Sequence, residues 1–299
     1  MTKENKGLVI VDAHAHPPRK GVPGVDDRPY VAPKTDAEKD LLVRENMDEF
    51  LSQMDVNQID KRALIAMPED IEAMFHFNER NPETGVTTYS CHEWIMQAVK
   101  YKPDRFFGLA CINPLEEEAP KKIEWLVKEG GFKGVKIHQA HYQFVINDKR
   151  VYPFYEKCAE LQVPVAFHTG YSPLRTVDRF IPTMPHLLDE LAYDLPELKI
   201  IMCHAGGNWY QDGAYIALRN PNIMVDISGL KWLAQFFVYP TIDATKLIKR
   251  IVQVVGPKRV MYGTDNDDTC NVEFMKTCGL NDHDFQLVMG ENAIRYFNL

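Results

Sequence analysis

Several familiar signals are missing from this 299-residue sequence, and each absence argues against a class of function. No run of lysine or arginine stands out, and 34 basic residues against 42 acidic ones give a formal net charge of −8. That balance argues against nucleic acid or an anionic membrane surface as a partner. No GxGxxG or GxxxxGK[ST] motif follows an apolar run, so nucleotide-binding folds lose their main support. The sequence also has no internal repeat.

Cysteine pairs and long apolar runs are also scarce. The six cysteines have no CxxC spacing, and three of them lie in apolar or amphipathic segments, where a reduced cysteine packs as a small hydrophobe. The apolar run near the N-terminus is too short for a signal peptide or a transmembrane helix. We therefore expect a cytoplasmic protein in a reducing compartment.

Eight short apolar runs recur along the chain and predict buried parallel strands. They are Leu8–Asp12, Ala63–Met67, Phe106–Cys111, Gly134–His138, Val165–His168, Ile200–His204, Ile223–Ile227 and Val260–Thr264. Segments with helical apolar spacing separate them: Asn46–Val56, Glu93–Tyr101, Glu116–Lys128, Pro153–Leu161, Met184–Asp194, Tyr210–Leu218, Ala244–Val254 and Asp284–Phe297. Eight strand-then-helix units favour one distorted (β/α)8 TIM barrel over residues 1–299, with an open eight-stranded sheet as the alternative.

Four connections are too long to be simple links, and each follows a strand. They are Pro17–Arg44, Pro68–Tyr89, Thr169–Thr183 and Ser228–Ile242. In a barrel these loops lie at the carboxyl-terminal face, where active sites are built. The first two, at about 17–44 and 68–89, are predicted to be lid-like insertions.

The segment that follows the first strand carries the main chemical signal. It reads Asp12-Ala13-His14-Ala15-His16, and side chains two apart along a strand point the same way. Three later strands end in His168, His204 and Asp265. Taken singly, each of these residues has a structural explanation, such as a hydrogen-bonded histidine or an Asx turn. Together, at converging strand ends, they indicate a site for Zn²⁺ or a similar divalent ion.

These motifs resemble those of the amidohydrolase superfamily, and more narrowly the branch that includes aminocarboxymuconate-semialdehyde decarboxylase. The resemblance covers nearly the whole chain. It rests on DAHAHPP near the N-terminus, GFKGVKIH at 131–138, PVAFHTG at 164–170, CHAGG at 203–207 and MYGTD at 261–265. The motif set is specific for the superfamily and does not identify a substrate.

The resemblance implies a role for each matching position. His14, His16, His168 and Asp265 would bind one metal ion, expected to be zinc, with manganese or another transition metal as alternatives. His204 would hydrogen-bond the attacking water and help to deprotonate it, and Asp265 would also take a proton.

A second metal remains open in this resemblance. In two-metal relatives the equivalent of His204 binds the second ion, and some members carry a carboxylated lysine at the position of Lys136. The simpler interpretation of Lys136 is a lysine paired with a carboxylate or with substrate.

Substrate contacts are predicted from loop position. Arg175 has the geometry to bind a substrate carboxylate. Lys136 and His138 share one face of the fourth strand, and His141 follows them. The aromatic candidates for stacking on a planar substrate are Tyr171, Trp209 and Trp232. The expected partner is a small-molecule substrate, with or without a carboxylate group. A homodimer is a further expectation.

Two reactions compete in this branch. The first is hydrolysis of an amide, lactone or related carbonyl, and the second is non-oxidative decarboxylation of an aromatic or enoic acid. Decarboxylases of the branch tend to follow the strand-five histidine with proline and often replace the first histidine with glutamate. This chain has His168-Thr169 and His14, so we favour hydrolysis. A binding protein with a structural metal and a phosphoesterase are more remote alternatives.

Overall fold

The computed structural model describes residues 7–17, 33–68, 83–85, 90–170 and 179–299. Eight strands run in chain order around one sheet, and every neighbouring pair from the first to the eighth is parallel. The strands are β1 (Val11–Asp12), β2 (Lys61–Ile65), β3 (Phe106–Cys111), β4 (Gly134–Ile137), β5 (Val165–Phe167), β6 (Ile200–Met202), β7 (Ile223–Asp226) and β8 (Val260–Met261).

The last strand meets the first through hydrogen bonds at the carboxyl-terminal side. The amide of Ala13 donates to the carbonyl of Tyr262 at 3.0 Å, and the amide of Asp265 donates to the carbonyl of His14 at 2.7 Å. The fold is therefore a TIM barrel with two short strands at its closure, as the distorted barrel of the sequence analysis predicted.

Side chains alternate across the sheet and divide the apolar residues into two layers. On β3, Phe107 and Leu109 belong to the barrel interior, whereas Phe106 and Ala110 pack in the layer between sheet and helices. Phe297 of the last helix lies 5.2 Å from the Phe107 ring and joins the interior cluster. Burial on both faces explains why these strands read as continuous apolar runs.

The helices of the described residues lie between successive strands, except the last three, which follow β8. They are α1 (Asp36–Val56), α2 (Cys91–Tyr101), α3 (Ala119–Lys128), α4 (Tyr152–Glu160), α5 (His186–Asp194), α6 (Tyr210–Arg219), α7 (Leu230–Phe236), α8 (Ala244–Val255), α9 (Val272–Lys276), α10 (Asp282–Gln286) and α11 (Asn292–Phe297). Short 3-10 segments are Lys149–Val151, Ile181–Thr183 and Pro257–Arg259, and Cys203–Trp209 is a kinked segment with non-helical backbone angles at residues 204–207. None of the helices within these described ranges is long and apolar enough to cross a membrane.

Several predicted boundaries were wrong, and the main differences involve helices. Helix α1 begins at Asp36, so the connection predicted to reach Arg44 is shorter; its first turns are exposed and polar and lack the apolar spacing, and the Thr35 side chain caps them. The connection 228–242 contains α7. The predicted helix Asp284–Phe297 is interrupted by a π-helical segment, Leu287–Glu291.

The π-helical segment packs against β1. A Cβ atom at Gly290 would overlap the carbonyl oxygen of Val9, so only glycine permits this approach. The amide of Tyr262, just after β8, donates to the carbonyl of Val288 at 2.9 Å. This segment therefore contacts both strands that meet at the barrel closure.

Candidate metal centre

Five imidazoles form a closed ring at the carboxyl ends of the strands. His14 and His16 follow β1, and His138, His168 and His204 follow β4, β5 and β6. Going round the ring from His14 through His204, His168, His138 and His16, neighbouring centroids lie 4.9, 5.0, 5.7, 6.4 and 5.7 Å apart. The parallel barrel therefore brings together side chains that are up to 190 positions apart in the sequence.

Asp265 completes one side of this ring. Its carboxylate oxygen Oδ1 lies 3.7 Å from Nε2 of His14 and 3.6 Å from Nε2 of His16. Ligand atoms of these three residues all fall within 4.8 Å of one another. Asp265 has a φ of 53°, in the left-handed region, and such strained conformations persist where the surroundings hold them, often at functional sites.

His168 provides the test of whether this group fits a metal ion. Its Nδ1 lies 3.2 Å from Nε2 of His204, while its Nε2 is buried and has no hydrogen-bond partner among the described residues. Buried polar atoms without a partner are rare in folded proteins and call for an unseen ligand. Imidazole nitrogens beside a carboxylate are the donors that Zn²⁺ and related ions take. The residues present therefore fit a divalent metal ion.

Buried carboxylates and imidazoles shift one another's acidity in this site. Burial alone would raise the pKa of Asp265, but the neighbouring histidines, His14 first, hold that pKa well below its usual range. Burial lowers the pKa of His16 to about 3 and that of His204 to about 4. These two imidazoles are therefore neutral near pH 7. His14 differs: burial and Lys136 act to lower its pKa, but the Asp226 carboxylate outweighs them and the pKa is raised to about 10.

His204 stands in an unusual backbone segment. Residues 204–207 all have positive φ, and the amide of His204 donates to the Asp226 carboxylate at 2.9 Å. The loops after β5 and β6 touch through glycines, because a Cβ at Gly207 would lie 2.4 Å from the Cα of Gly170. The glycines of the PVAFHTG and CHAGG motifs thus let the loops that carry His168 and His204 meet.

Two residues that sequence reasoning missed lie beneath the ring. Asp226 ends β7, and its Oδ2 accepts a hydrogen bond from Nδ1 of His14 at 2.9 Å. The Ser228 hydroxyl lies 2.8 Å from Nδ1 of His204 and 3.1 Å from Nδ1 of His14. The available signal was a carboxylate at the end of an apolar strand, in the same position as the predicted site residues of the other strands.

Lys136 and His138, both predicted substrate contacts, occupy different places. Lys136 is fully buried, with Nζ 3.0 Å from Sγ of Cys203 and 3.3 Å from Nε2 of His14. His138 belongs to the ring, and its Nε2 is buried with no hydrogen-bond partner in the described part of the chain. His138 is therefore the better placed of the two to meet a ligand.

A cavity of about 350 Å³ opens beside the ring. His168, His204 and Asp265 contribute its polar wall, and the apolar wall comes from α7 and the residue before it: Gly229, Leu230, Trp232 and Leu233. Trp209 does not line this cavity and instead meets the ring of Phe180 edge-on at 6.4 Å. Tyr171 and Arg175, together with most of the predicted insertions at 17–44 and 68–89, lie outside the described residues.

Comparison with known proteins shows a family match over most of the chain. The family model described as Amidohydrolase matches residues 11–299. A 2-amino-3-carboxymuconate-6-semialdehyde decarboxylase from Dictyostelium discoideum is 20% identical over 240 residues, covering 73% of this chain and 66% of that protein. A 2-keto-4-carboxy-3-hexenedioate hydratase from Sphingobium is 30% identical over 137 residues, 40% of each chain.

Solved structures agree on the fold. A 5-carboxyvanillate decarboxylase from Novosphingobium aromaticivorans, solved with manganese and a nitrobenzoic acid, superposes with a TM-score of 0.65 at 18% identity. The superposition covers 100% of this chain and 98% of that one. At this identity the match establishes the TIM-barrel fold.

Proposed function

The chain belongs to the Amidohydrolase family of enzymes, and from that premise we propose that it is a metal-dependent hydrolase of a small organic substrate. The bond attacked would be a carbonyl bond of an amide, a lactone or a related group. Two observations carry this proposal. His14, His16 and Asp265 bring their ligand atoms together, and His168 of the same ring has a partnerless Nε2, although its ligand atoms do not lie within 4.8 Å of all three.

The proposed metal ligands are His14, His16, His168 and Asp265. A divalent ion held by them would lower the pKa of a coordinated water and polarise a carbonyl oxygen. Zinc suits three imidazoles and a carboxylate. Manganese is the alternative, supported by its presence in the Novosphingobium decarboxylase structure.

His204 is the proposed base. The backbone carbonyl of Ser228 lies 3.1 Å from its Nδ1 and can only accept, so Nδ1 carries the proton and Nε2 keeps its lone pair. That lone pair faces Nδ1 of His168, inside the ring. His204 can therefore take a proton from a water that enters the site, and Asp265 offers a second acceptor in the same wall of the cavity.

The cavity supports a small substrate with a flat apolar part. Its volume of about 350 Å³ is at the lower end of the range for small-molecule sites. Trp232 is 41% exposed and stands in the cavity wall, so we propose that it contacts the substrate. Arg175 remains the proposed partner of a substrate carboxylate, and a homodimer remains a proposal.

Decarboxylation is the second candidate, because the Dictyostelium relative, whose alignment covers 73% of this chain, is a decarboxylase. In that reaction the metal site would bind the substrate's oxygens and a protonated group would deliver a proton to carbon. The hydratase relative uses water on a different kind of substrate, so water activation by His204 serves hydration as well as hydrolysis.

Elemental analysis of the purified protein, followed by a substrate panel, tests these functions. We expect about one equivalent of zinc or manganese and acid release from lactones or amides. Release of carbon dioxide from aromatic or enoic acids, without hydrolysis, would replace hydrolysis with decarboxylation. Two equivalents of metal would instead support a binuclear site. Protein that stays folded but binds neither metal when it is supplied would overturn the proposal.

A further inference from the structure

The end of β7 contacts two imidazoles that stand on different strands. Asp226 is 2% exposed and accepts at both carboxylate oxygens. Oδ2 accepts from Nδ1 of His14, and Oδ1 accepts from the amide of His204 at 2.9 Å and from the amide and hydroxyl of Ser228 at 3.1 and 2.5 Å. A single carboxylate thus joins β1, β6 and its own strand.

The Ser228 hydroxyl has only one arrangement that satisfies its neighbours. Its proton goes to the Asp226 carboxylate, which cannot donate, so only lone pairs are left to face Nδ1 of His14 and of His204. Those two nitrogens also face the Asp226 carboxylate and the Ser228 carbonyl, which only accept. Both imidazoles must therefore carry their proton on Nδ1.

We propose that Asp226 and Ser228 are positioning residues that set the tautomer and orientation of His14 and His204 together. With Nδ1 of both imidazoles holding a proton toward the Asp226 and Ser228 oxygens, both Nε2 atoms face into the ring. His14 Nε2 lies 3.3 Å from Nζ of Lys136 and 3.7 Å from Oδ1 of Asp265. His204 Nε2 lies 3.2 Å from Nδ1 of His168. Residues that orient a metal-bound imidazole in this way tune the affinity of the site. The inference rests on the proposed function insofar as it assigns His14 as a ligand and His204 as the base.

An amide cannot replace the Asp226 carboxylate. An asparagine could turn its NH2 group toward the three donors that Oδ1 now accepts from, which are the His204 amide and the amide and hydroxyl of Ser228, and three hydrogen bonds would be lost. If the NH2 group instead faced Nδ1 of His14, one hydrogen bond would be lost. The second arrangement costs less, and His14 would then move its proton to Nε2 in order to accept from the amide. That tautomer has no lone pair to give to a metal ion.

The variants Asp226→Asn, Asp226→Glu and Ser228→Ala test the proposal, with Asp189→Asn as a matched control. Asp189 is a hydrogen-bonded carboxylate on α5 that accepts from Asn220, away from the ring. The affinity for Mn²⁺ and Zn²⁺ would be measured on folded protein by titration calorimetry. The tautomers of the metal-free histidines would be read from 15N chemical shifts of Nδ1 and Nε2.

We expect Asp226→Asn to weaken metal binding by about 10- to 100-fold and to move the His14 proton to Nε2. Ser228→Ala should weaken binding by about fivefold, because the Asp226 carboxylate and the residue-228 carbonyl remain. Asp226→Glu should restore the Nδ1 tautomer, and Asp189→Asn should change neither measurement. Excess metal should recover kcat in Asp226→Asn, since the asparagine oxygen keeps the Oδ1 contact that holds the His204 amide.

Unchanged metal affinity and unchanged tautomers in both Asp226→Asn and Ser228→Ala, with lower stability alone, would reduce the pair to a structural role and overturn the proposal. If Asp226→Asn fails to fold, Ser228→Ala and Asp226→Glu still decide through the same two measurements. If the wild-type protein binds no metal, the proposed function fails, while the 15N tautomers still test what Asp226 and Ser228 do.

Discussion

Two neighbouring groups of polar residues follow one another along the same strands but differ in burial and in how their carboxylates are paired. The metal ring, made of His14, His16, His138, His168, His204 and Asp265, leaves Nε2 of His138 and of His168 without a partner among the described residues. The seam network consists of Asp12, Arg62 and Thr264. Asp12 lies on β1 two residues before His14, Thr264 follows β8 one residue before Asp265, and Arg62 lies beside Asp12 on β2.

The carboxylate of the seam network finds all its partners within the protein. Asp12 accepts from the amide and hydroxyl of Thr264 at 3.0 and 2.7 Å and from the amide of His14 at 3.1 Å. Nε of Arg62 lies 2.9 Å from the same carboxylate, and the guanidinium faces the ring of Phe50 at 4.4 Å.

The two groups also differ in burial: Asp12 and Arg62 are fully buried, whereas 37% of the Asp265 side chain and 24% of the His16 side chain are exposed. The guanidinium nitrogens of Arg62 make no hydrogen bond among the described residues, so Arg62 is held by its ion pair with Asp12 and its contact with Phe50. The seam network therefore joins β1, β2 and the end of β8, and the ring opens onto the cavity.

Replacing His168 of the metal ring should have the largest effect. For His168→Ala we expect loss of the bound metal and a fall in kcat/KM of more than about ten-thousandfold, because the metal supplies several kcal/mol of transition-state stabilisation. Metal content and steady-state kinetics measure both. The unfolding midpoint of the metal-free protein should fall only modestly, since Nε2 has no partner among the described residues and the Nδ1 contact with His204 is a single hydrogen bond.

His186→Ala is the matched control. This imidazole is 47% exposed and lies 3.4 Å from Asp212, outside the ring. It should keep its metal and its activity. If His168→Ala retained a full equivalent of metal, the distinction between the ring and the seam network would lose its main support.

Breaking the seam network should instead lower stability. Asp12→Asn leaves the buried Arg62 cation without its counter-charge, and breaking a buried pair costs about 3 to 5 kcal/mol. Urea unfolding of the metal-free protein measures this loss. We expect the folded fraction still to bind about one equivalent of metal, because Asp12 meets only the backbone of His14.

The double variant Asp12→Asn/Arg62→Met should recover much of this stability, because it removes the unpaired charge as well. Lys128→Ala breaks an exposed ion pair with Glu124 and should leave the unfolding midpoint nearly unchanged. An Asp12→Asn protein as stable as wild type would show that the ion pair does not hold the barrel closed.

The ring was more accessible to sequence reasoning than the residues that support it. Parallel strands bring their carboxyl ends together, so the ends of β1 and β8 predicted the meeting of His14, His16 and Asp265 that the structure contains. The apolar run of the second strand predicts a start at Ala63, whereas β2 begins at Lys61 and contains Arg62. The counter-charge of Arg62, Asp12, is on a neighbouring strand and leaves no spacing pattern.

Asp226 and Ser228 escaped for a related reason. Their significance depends on the direction of four hydrogen bonds to Asp226, and only the folded barrel fixes those directions. The polar first turns of α1 were missed because apolar spacing begins later in that helix, while the Thr35 cap is a weaker signal. Local pattern thus predicts what strands present at their ends, and three-dimensional pairing decides how those side chains are oriented.

His92 gives the smallest expected effect and separates burial from ligand binding. Its Nε2 accepts from the amide of Cys111 at 3.1 Å, so the protein already fills the nitrogen that a metal would use. Burial lowers its pKa to about 4, with Lys122 acting in the same direction and Glu93 in the opposite one. Between pH 6.5 and about pH 4, His92 is protonated in the unfolded chain and neutral in the folded protein. The free energy of unfolding therefore falls as the pH falls through this window.

For His92→Gln we expect this part of the pH dependence to disappear, since glutamine can accept from the same amide and does not titrate. Each pKa unit corresponds to about 1.4 kcal/mol, so wild type should lose up to about 3 kcal/mol more than the variant between pH 6.5 and 4. Urea unfolding at several pH values measures the difference. Metal content should stay at the wild-type level, because the Cys111 amide already occupies the His92 nitrogen that could bind a metal ion. Parallel pH profiles for the two proteins, or loss of metal in His92→Gln, would contradict this interpretation of His92.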